Sequence, residues 1–417
     1  MKMLETIEGI ELITTKACNM RCTYCYENKS KNSMFTKETA NSILDLIRNN
    51  DKITYIDFFG GESLLPELKE HIMNFLKELA TIRRNFRFYI TTNALEVDKM
   101  YDVIDYIKDN FESLKIQISL DGGKQAHDIC RIDTNKEGTF DRVFQNAINL
   151  FEIYKESENV RFNIHHVVSL QNAQYLIDTV CFDNMLKKHY PDVHISYNSE
   201  HSINTKPHDT SVLIETLEFL HNIYMQFDLH FEIWCEFLHI EDYFQTRHAK
   251  CNLMDKFMNV SPDGDVSPCH YFWKQHGHNF YNINTKELDI DKYNKSLEFI
   301  KDNKAVSELG YDCETCPSKG FCSYCAASSW VSTGYTNNTI VGSTACSYAR
   351  TVGEWVINKY NDGRYEELND EDKQKLLDKF QEVIDKFDKD KTVENLRDFL
   401  FYRIKCKLNG IYESKEV

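Results

Sequence analysis

Between residues 10 and 200 short β-rich runs alternate with longer amphipathic segments, and this alternation constrains the fold of the 417-residue chain more than any other feature. Candidate strands run over residues 10–14, 53–59, 86–91, 115–120, 160–168 and 194–197. Helical periodicity fills the gaps, as over residues 37–48, 68–82 and 140–154. Strict alternation of strand and helix calls for right-handed crossovers and a parallel sheet. Six such units fall short of a closed eight-unit barrel, so the expected class is α/β with a partial (β/α)6 barrel.

Parallel barrels place their chemistry at the C-terminal ends of the strands, and four polar motifs fall there. Cys18, Cys22 and Cys25 follow the first strand, Gly60-Gly61-Glu62 the second, Thr92-Asn93 the third and Ser119-Leu120-Asp121-Gly122 the fourth. Cysteines spaced x3 and then x2 in one loop can converge on a metal site while leaving a position open. A zinc loop is the competing reading, and it wants a nearby fourth Cys or His. Glycines let backbone approach a ligand closely, and Glu62 offers a carboxylate to a cationic amine. A Gly-Gly pair after a strand also serves as a plain turn.

A second cysteine region begins at Cys251, followed by Cys269 within FMNVSPDGDVSPCHY over residues 257–271. This segment reads as a β-hairpin with Pro-Asp-Gly at its tip. Cys313-x2-Cys316-x5-Cys322-x2-Cys325 and Cys346 follow. A zinc ribbon separates its two knuckles by about 15 to 20 residues, whereas five stand here. Residues 209–245 read as two bridging helices, in which Phe231, Trp234, Phe237 and Phe244 are core residues or line a substrate path. The tail from about residue 352 is charged and helical, a solvated cap. Cys130, Cys181, Cys235 and Cys406 read as buried thiols.

A formal net charge of -16 counts against a nucleic-acid partner, since phosphate contacts need Lys and Arg in excess. No apolar run reaches the roughly 18 residues of a membrane span, and the N-terminus lacks the pattern of a secretory signal. A cytoplasmic setting is therefore expected, where 14 cysteines point to metal ligation rather than to disulfides.

With Tyr24 in the aromatic slot, the first loop reads C-x3-C-x-aromatic-C and resembles the radical S-adenosylmethionine (radical SAM) superfamily. The later cysteines resemble the SPASM domain of peptide-modifying members, with x2 in place of the family's x3 in the last gap of the middle run. The resemblance implies a domain order of 1–205 partial barrel, 206–250 bridging helices, 251–349 SPASM and 350–417 helical segment. It implies three 4Fe-4S clusters. Cys18, Cys22 and Cys25 would hold the one that binds S-adenosylmethionine, Cys251, Cys269 and Cys325 an inner auxiliary cluster, and Cys313, Cys316, Cys322 and Cys346 an outer one.

By the same resemblance Glu62 contacts the methionine amino group, Ser119 the ribose or carboxylate and Arg131 the carboxylate, with Tyr24, Gly60, Gly61 and Asn93 completing the site. Ser63 stands where the family has proline, and Ala94 where it has glycine. The implied activity is an oxidoreductase-type peptide (RiPP) maturase that forms a 5'-deoxyadenosyl radical and installs a modification such as a thioether. His270 itself reads as a proton acceptor, or as a hydrogen-bond partner of cluster sulfur or a packing residue of the hairpin. An anaerobic sulfatase maturase making formylglycine is the alternative, although that family places an Asp where His270 stands. A non-catalytic iron-sulfur or zinc scaffold is the alternative of another class. Implied partners are a Cys-rich peptide and an electron donor such as flavodoxin or ferredoxin. Because Cys18 comes too early for a leader-binding domain ahead of the barrel, a separate leader-binding protein is added.

Overall fold

Six parallel strands carry the alternation: β1 (Gly9–Thr15), β2 (Tyr55–Gly60), β3 (Arg87–Thr92), β4 (Ser113–Ser119), β5 (Val160–Val168) and β6 (His194–Ser199). The computed structural model describes residues 2–27, 29, 33–169, 171–199, 211–226, 256–270, 279–301, 344–360, 368–389 and 402. Helix α1 (Lys2–Thr6) precedes β1. The connections hold α2 (Lys37–Arg48), α3 (Lys69–Ile82), α4 (Tyr101–Asn110), α5 (Lys124–Asp128), α6 (Phe140–Tyr154) and α7 (Leu176–His189). Residues 160–168, 37–48 and 140–154 match the sequence reading to the residue, and the other strands differ by one or two at their ends.

The period of two sorts each strand into two chemistries. On β4, Leu114, Ile116 and Ile118 are buried while Lys115, Gln117 and Ser119 stay partly exposed; on β2, Ile56 and Phe58 are fully buried and Asp57 and Phe59 only partly so. The apolar side joins one core with Ile43, Leu44 and Ile47 of α2, Phe75 and Leu76 of α3 and Ile104 and Ile107 of α4. Each such side chain stabilises by about 1.5–3 kcal/mol when taken fully from water. The other face is polar, and a partial barrel turns it inward.

The sheet continues past the barrel. β7 (Phe257–Val260) lies parallel to the free edge of β1, and β8 (Asp265–Ser267) and β9 (Tyr281–Asn282) follow antiparallel, giving the order β6-β5-β4-β3-β2-β1-β7-β8-β9. β7 and β8 form the hairpin expected at residues 257–271, with Gly264 at φ +85 in its turn.

Helix α8 (Ser211–Gln226) falls within the expected bridging region; Phe231, Trp234, Phe237 and Phe244 lie outside the described residues. Later helices are α9 (Ile290–Lys301), α10 (Thr344–Tyr360) and α11 (Asp370–Lys389). α10 packs rather than merely caps: Val352 and Val356 are buried, and Trp355 Nε1 and Lys359 Nζ donate to Glu218 of α8 at 2.8 and 2.7 Å. Cys130 is buried as expected, but Cys181 is exposed. It shares the outer stripe of α7 with Asp178 and Met185, three before and four after it. Cys235 and Cys406 lie outside the described residues. No helix among the described residues is long and apolar enough to cross a membrane.

Candidate functional site

The loop after β1 is clamped from two sides. On one side the β2 end meets it backbone to backbone, with Gly61 N–H donating to Thr15 O at 2.8 Å and Glu62 N–H to Ala17 O at 2.9 Å. A Cβ on Gly60, whose φ is +136, would stand 2.3 Å from Thr15 O, and one on Gly61 2.3 Å from Ala17 O. The close approach these glycines permit is thus to the cysteine loop itself, which revises the expectation of an approach to a ligand. On the other side Arg21 N–H donates to Ile132 O at 2.7 Å and Thr23 N–H to Cys130 O at 2.9 Å.

Within the loop Cys18, Cys22 and Cys25 are half-buried, and Cys25 N–H donates to Cys22 O at 3.2 Å. Met20 N–H approaches Cys18 Sγ at 3.4 Å and Asn93 Nδ2 at 3.7 Å. Burial pushes the Cys18 thiol up to about 11, with Lys29 opposing, and it also raises Cys22, against Arg131 and Lys29. Among the described residues no three His, Cys, Asp or Glu side chains are grouped tightly enough for a single metal ion. A cubane binds one thiolate per iron at separate corners, so its sulfurs stand farther apart than the ligands of one ion. Three thiols with amide donors and nearby cations are a donor set that fits it.

Glu62 is buried at the end of β2, where Oε1 accepts from Thr92 Oγ1 at 2.6 Å and Leu64 N–H at 3.0 Å, and Oε2 from Asn93 N–H at 2.6 Å. Burial still holds its pKa above the usual carboxylate range, against those donors. Two oxygens offer about four acceptor sites, so three donors leave room for one more. No cation forms an ion pair with it among the described residues. Asn93 also donates to Asn19 Oδ1 at 2.8 Å, and the chain turns after it through Ala94 at φ +57, a left-handed conformation that glycine adopts more readily.

At the end of β4 a different carboxylate has a cation. Asp121 Oδ2 accepts the Tyr24 hydroxyl and stands 2.9 Å from Arg131 Nε; its Oδ1 accepts Val167 N–H at 2.9 Å. Arg131 Cζ lies 5.4 Å from the Tyr24 ring centroid. Burial pulls the guanidinium pKa down, and Asp121 more than offsets it, so the net shift is upward. Ser119, half-buried, ends β4 opposite His165 of β5.

Across the polar face, Glu11 of β1 sits in register with Asp57 of β2 and Asn259 of β7. Glu11 Oε1 accepts from Asn259 Nδ2 at 2.6 Å and lies 3.0 Å from His270 Nδ1. The His270 ring packs on Phe59 at 4.5 Å and on Tyr26 at 6.0 Å. Burial lowers the pKa of His270, but Glu11 outweighs it and the net shift is upward. Asp57 is held well above the carboxylate range by burial and by Glu11. Cys269 is buried, while Cys251, Cys313, Cys316, Cys322 and Cys325 lie outside the described residues, as does the side chain of Cys346.

The sequence matches the radical SAM superfamily over residues 12–180 and an iron-sulfur cluster-binding domain, SPASM, over residues 251–317. Residues 12–180 carry a radical SAM domain. The chain is 30% identical over 169 residues to a cysteine-type anaerobic sulfatase-maturating enzyme of Clostridium novyi, covering 38% of this chain and 43% of that relative. It therefore spans less than half of that enzyme's length. In fold it resembles native anSMEcpe solved with bound AdoMet and Cp18Cys peptide, with a TM-score of 0.59 and 18% identity over 84% of this chain and 97% of that one. It also resembles Streptococcus suis SuiB bound to its precursor peptide SuiA, with a TM-score of 0.54 and 15% identity over 82% and 76%.

The radical SAM motifs drew attention to Ser119 and Arg131, but the sequence reading gave no role to Asp121, Glu11 or Asp57. The signal for Asp121 was present in the acidic residue beside Ser119. That for Glu11 and Asp57 was a charge at an inward position of a strand, visible only once the strands are in register.

Proposed function

We propose that the chain is an enzyme that cleaves S-adenosylmethionine reductively, abstracts hydrogen from a peptide and leaves a post-translational modification. One observation carries this: three thiols, a buried carboxylate that forms no ion pair among the described residues, and a buried guanidinium occupy neighbouring strand ends of one partial barrel. Cys18, Cys22 and Cys25 would hold a four-iron cluster, which would supply the electron for reductive cleavage of S-adenosylmethionine. Glu62 binds the amino group with its remaining acceptor site, and Arg131 the carboxylate. Ser119 faces the ribose or carboxylate, Tyr24, Gly60 and Gly61 seat the loop, and Asn93 steadies Cys18. Cys251, Cys269 and Cys325, with Cys313, Cys316, Cys322 and Cys346, hold two auxiliary clusters, for about twelve irons in all.

The peptides in the two solved structures support a peptide substrate. For a thioether, an S–H and a C–H give way to C–S; one hydrogen atom leaves with 5'-deoxyadenosine, one proton goes to a base, and one electron would pass to an auxiliary iron-sulfur cluster as the oxidant. His270, made a stronger base by Glu11, takes the proton. A flavodoxin or ferredoxin supplies the cleaving electron, and leader recognition falls to a separate protein. Formylglycine formation is the second reading, favoured by identity to the sulfatase-maturating enzyme.

The test is anaerobic reconstitution with reductant and S-adenosylmethionine. The wild type should release 5'-deoxyadenosine, and the triple Cys18→Ala, Cys22→Ala, Cys25→Ala variant should release none while keeping auxiliary iron. Unchanged release by the variant refutes the assignment. With a Cys-containing peptide, a cross-linked product two hydrogens lighter supports the maturase, and an aldehyde at the Cys position supports the alternative.

A further inference from the structure

Asp121 lies just beyond β4 and is 2% exposed, with its carboxylate taken up by the protein itself. Val167 N–H holds one oxygen at 2.9 Å, while the other takes the Tyr24 hydroxyl and faces Arg131 Nε at 2.9 Å. Behind it, Asp121 N–H points to His127 Nδ1 at 3.3 Å, His127 Nε2 lies 3.0 Å from Thr139 Oγ1, and that hydroxyl donates to Arg131 O at 2.8 Å. These contacts form a closed ring around the arginine. The guanidinium is approached at its inner nitrogen by the Asp121 carboxylate as an ion pair, and none of its nitrogens makes a hydrogen bond to a described residue. A guanidinium held this way presents its two outer N–H groups in the parallel fork that suits a carboxylate.

We infer that Asp121 is a positioning residue: it aims the terminal nitrogens of Arg131 at the carboxylate of S-adenosylmethionine. The inference rests on the reading that this ligand binds here. Asp121 touches no ligand itself and acts through Arg131, which separates it from a plain staple of the cysteine loop through Tyr24.

The test is a double-mutant cycle on reconstituted protein, read as the dissociation constant of S-adenosylmethionine by equilibrium dialysis. Methylthioadenosine, which lacks the amino-acid portion, is the control ligand. Asp121→Asn should weaken S-adenosylmethionine binding about tenfold or more, a loss in the range of one charge-assisted hydrogen bond. Methylthioadenosine should change less than twofold. In an Arg131→Gln background, adding Asp121→Asn should cost nothing further. If Asp121→Asn alone does not fold, the double variant against Arg131→Gln alone still gives the comparison, because it leaves no unpaired buried charge. An undiminished loss in the Arg131→Gln background, or an equal loss for methylthioadenosine, overturns the inference. Absence of S-adenosylmethionine binding in the wild type refutes the underlying reading instead, and it appears before any variant is compared.

Discussion

Glu62 and Asp121 are both buried carboxylates at the ends of barrel strands, and they are satisfied in opposite ways. Among the described residues Glu62 accepts from neutral donors and forms no ion pair, and burial keeps its pKa raised against those donors and the charge of Arg131. Asp121 faces a buried cation and a tyrosine hydroxyl. A site lined only by Glu62-type groups would bind a cation without fixing its orientation. One lined only by Asp121-type groups would be rigid but already satisfied. The pairing divides binding from positioning.

The largest expected effect separates the two. Asp121→Asn strands the Arg131 charge and should cost about 3–5 kcal/mol of folding stability, the range for breaking a buried ion pair from one side. Glu62→Gln should cost only about 1–3 kcal/mol, because its amide nitrogen meets the Asn93 N–H in place of an acceptor. Urea unfolding of ligand-free protein measures both, and equal losses would erase the distinction. Glu62→Gln should instead show itself in binding, weakening S-adenosylmethionine roughly ten- to a hundredfold as a charge-assisted hydrogen bond is lost; unchanged affinity would remove Glu62 from the ligand's contacts.

A smaller effect follows from pH. The folded protein holds a proton on Glu62 more tightly than the unfolded chain does. Its contribution to stability is therefore greatest below the ordinary carboxylate pKa and declines as pH rises from there to the raised folded value. Melting temperatures of ligand-free wild type should fall across that window more steeply than those of Glu62→Gln. A steeper fall in the variant would contradict the raised pKa.

The smallest effect is expected at Ala94, which follows the Asn93 that donates to Glu62. Ala94→Gly relieves about 1–2 kcal/mol of left-handed strain but gives up a buried methyl of roughly 0.8 kcal/mol and adds freedom to the unfolded chain. The net change should stay within about 1 kcal/mol. Ala94→Val, branched at Cβ in that conformation, should be clearly destabilised, and thermal melts of the pair would expose any other role for the turn.

The strands and their polar ends were legible because alternation and turn chemistry are local. Residues 160–168 hold four β-branched residues and stand fifth in the alternation of strands and helices, and the structure keeps their bounds. The role of Asp121 was not legible, because it depends on Tyr24 and Arg131, 97 residues before it in one case and across a short helix in the other. The register that sets Glu11 beside Asp57 was equally hidden, since pairing between strands is not written in either one. Cys181 misled because thiols usually prefer the core, whereas its helical phase places it with Asp178 and Met185.

Backbone pairing between β7 and β1 runs from Gly9 opposite Phe257 to Leu12 opposite Val260. The ladder works as a ruler: the cysteine loop leaves the top of β1, and Cys269 comes two residues after the β8 strand hydrogen-bonded to β7. Changing the spacing between those two points by sliding would break main-chain hydrogen bonds in series rather than bend a linker. On this flank of the barrel the hinge closure common in two-domain enzymes is mechanically unavailable. The cysteine loop and Cys269 are thus tied to one continuous sheet.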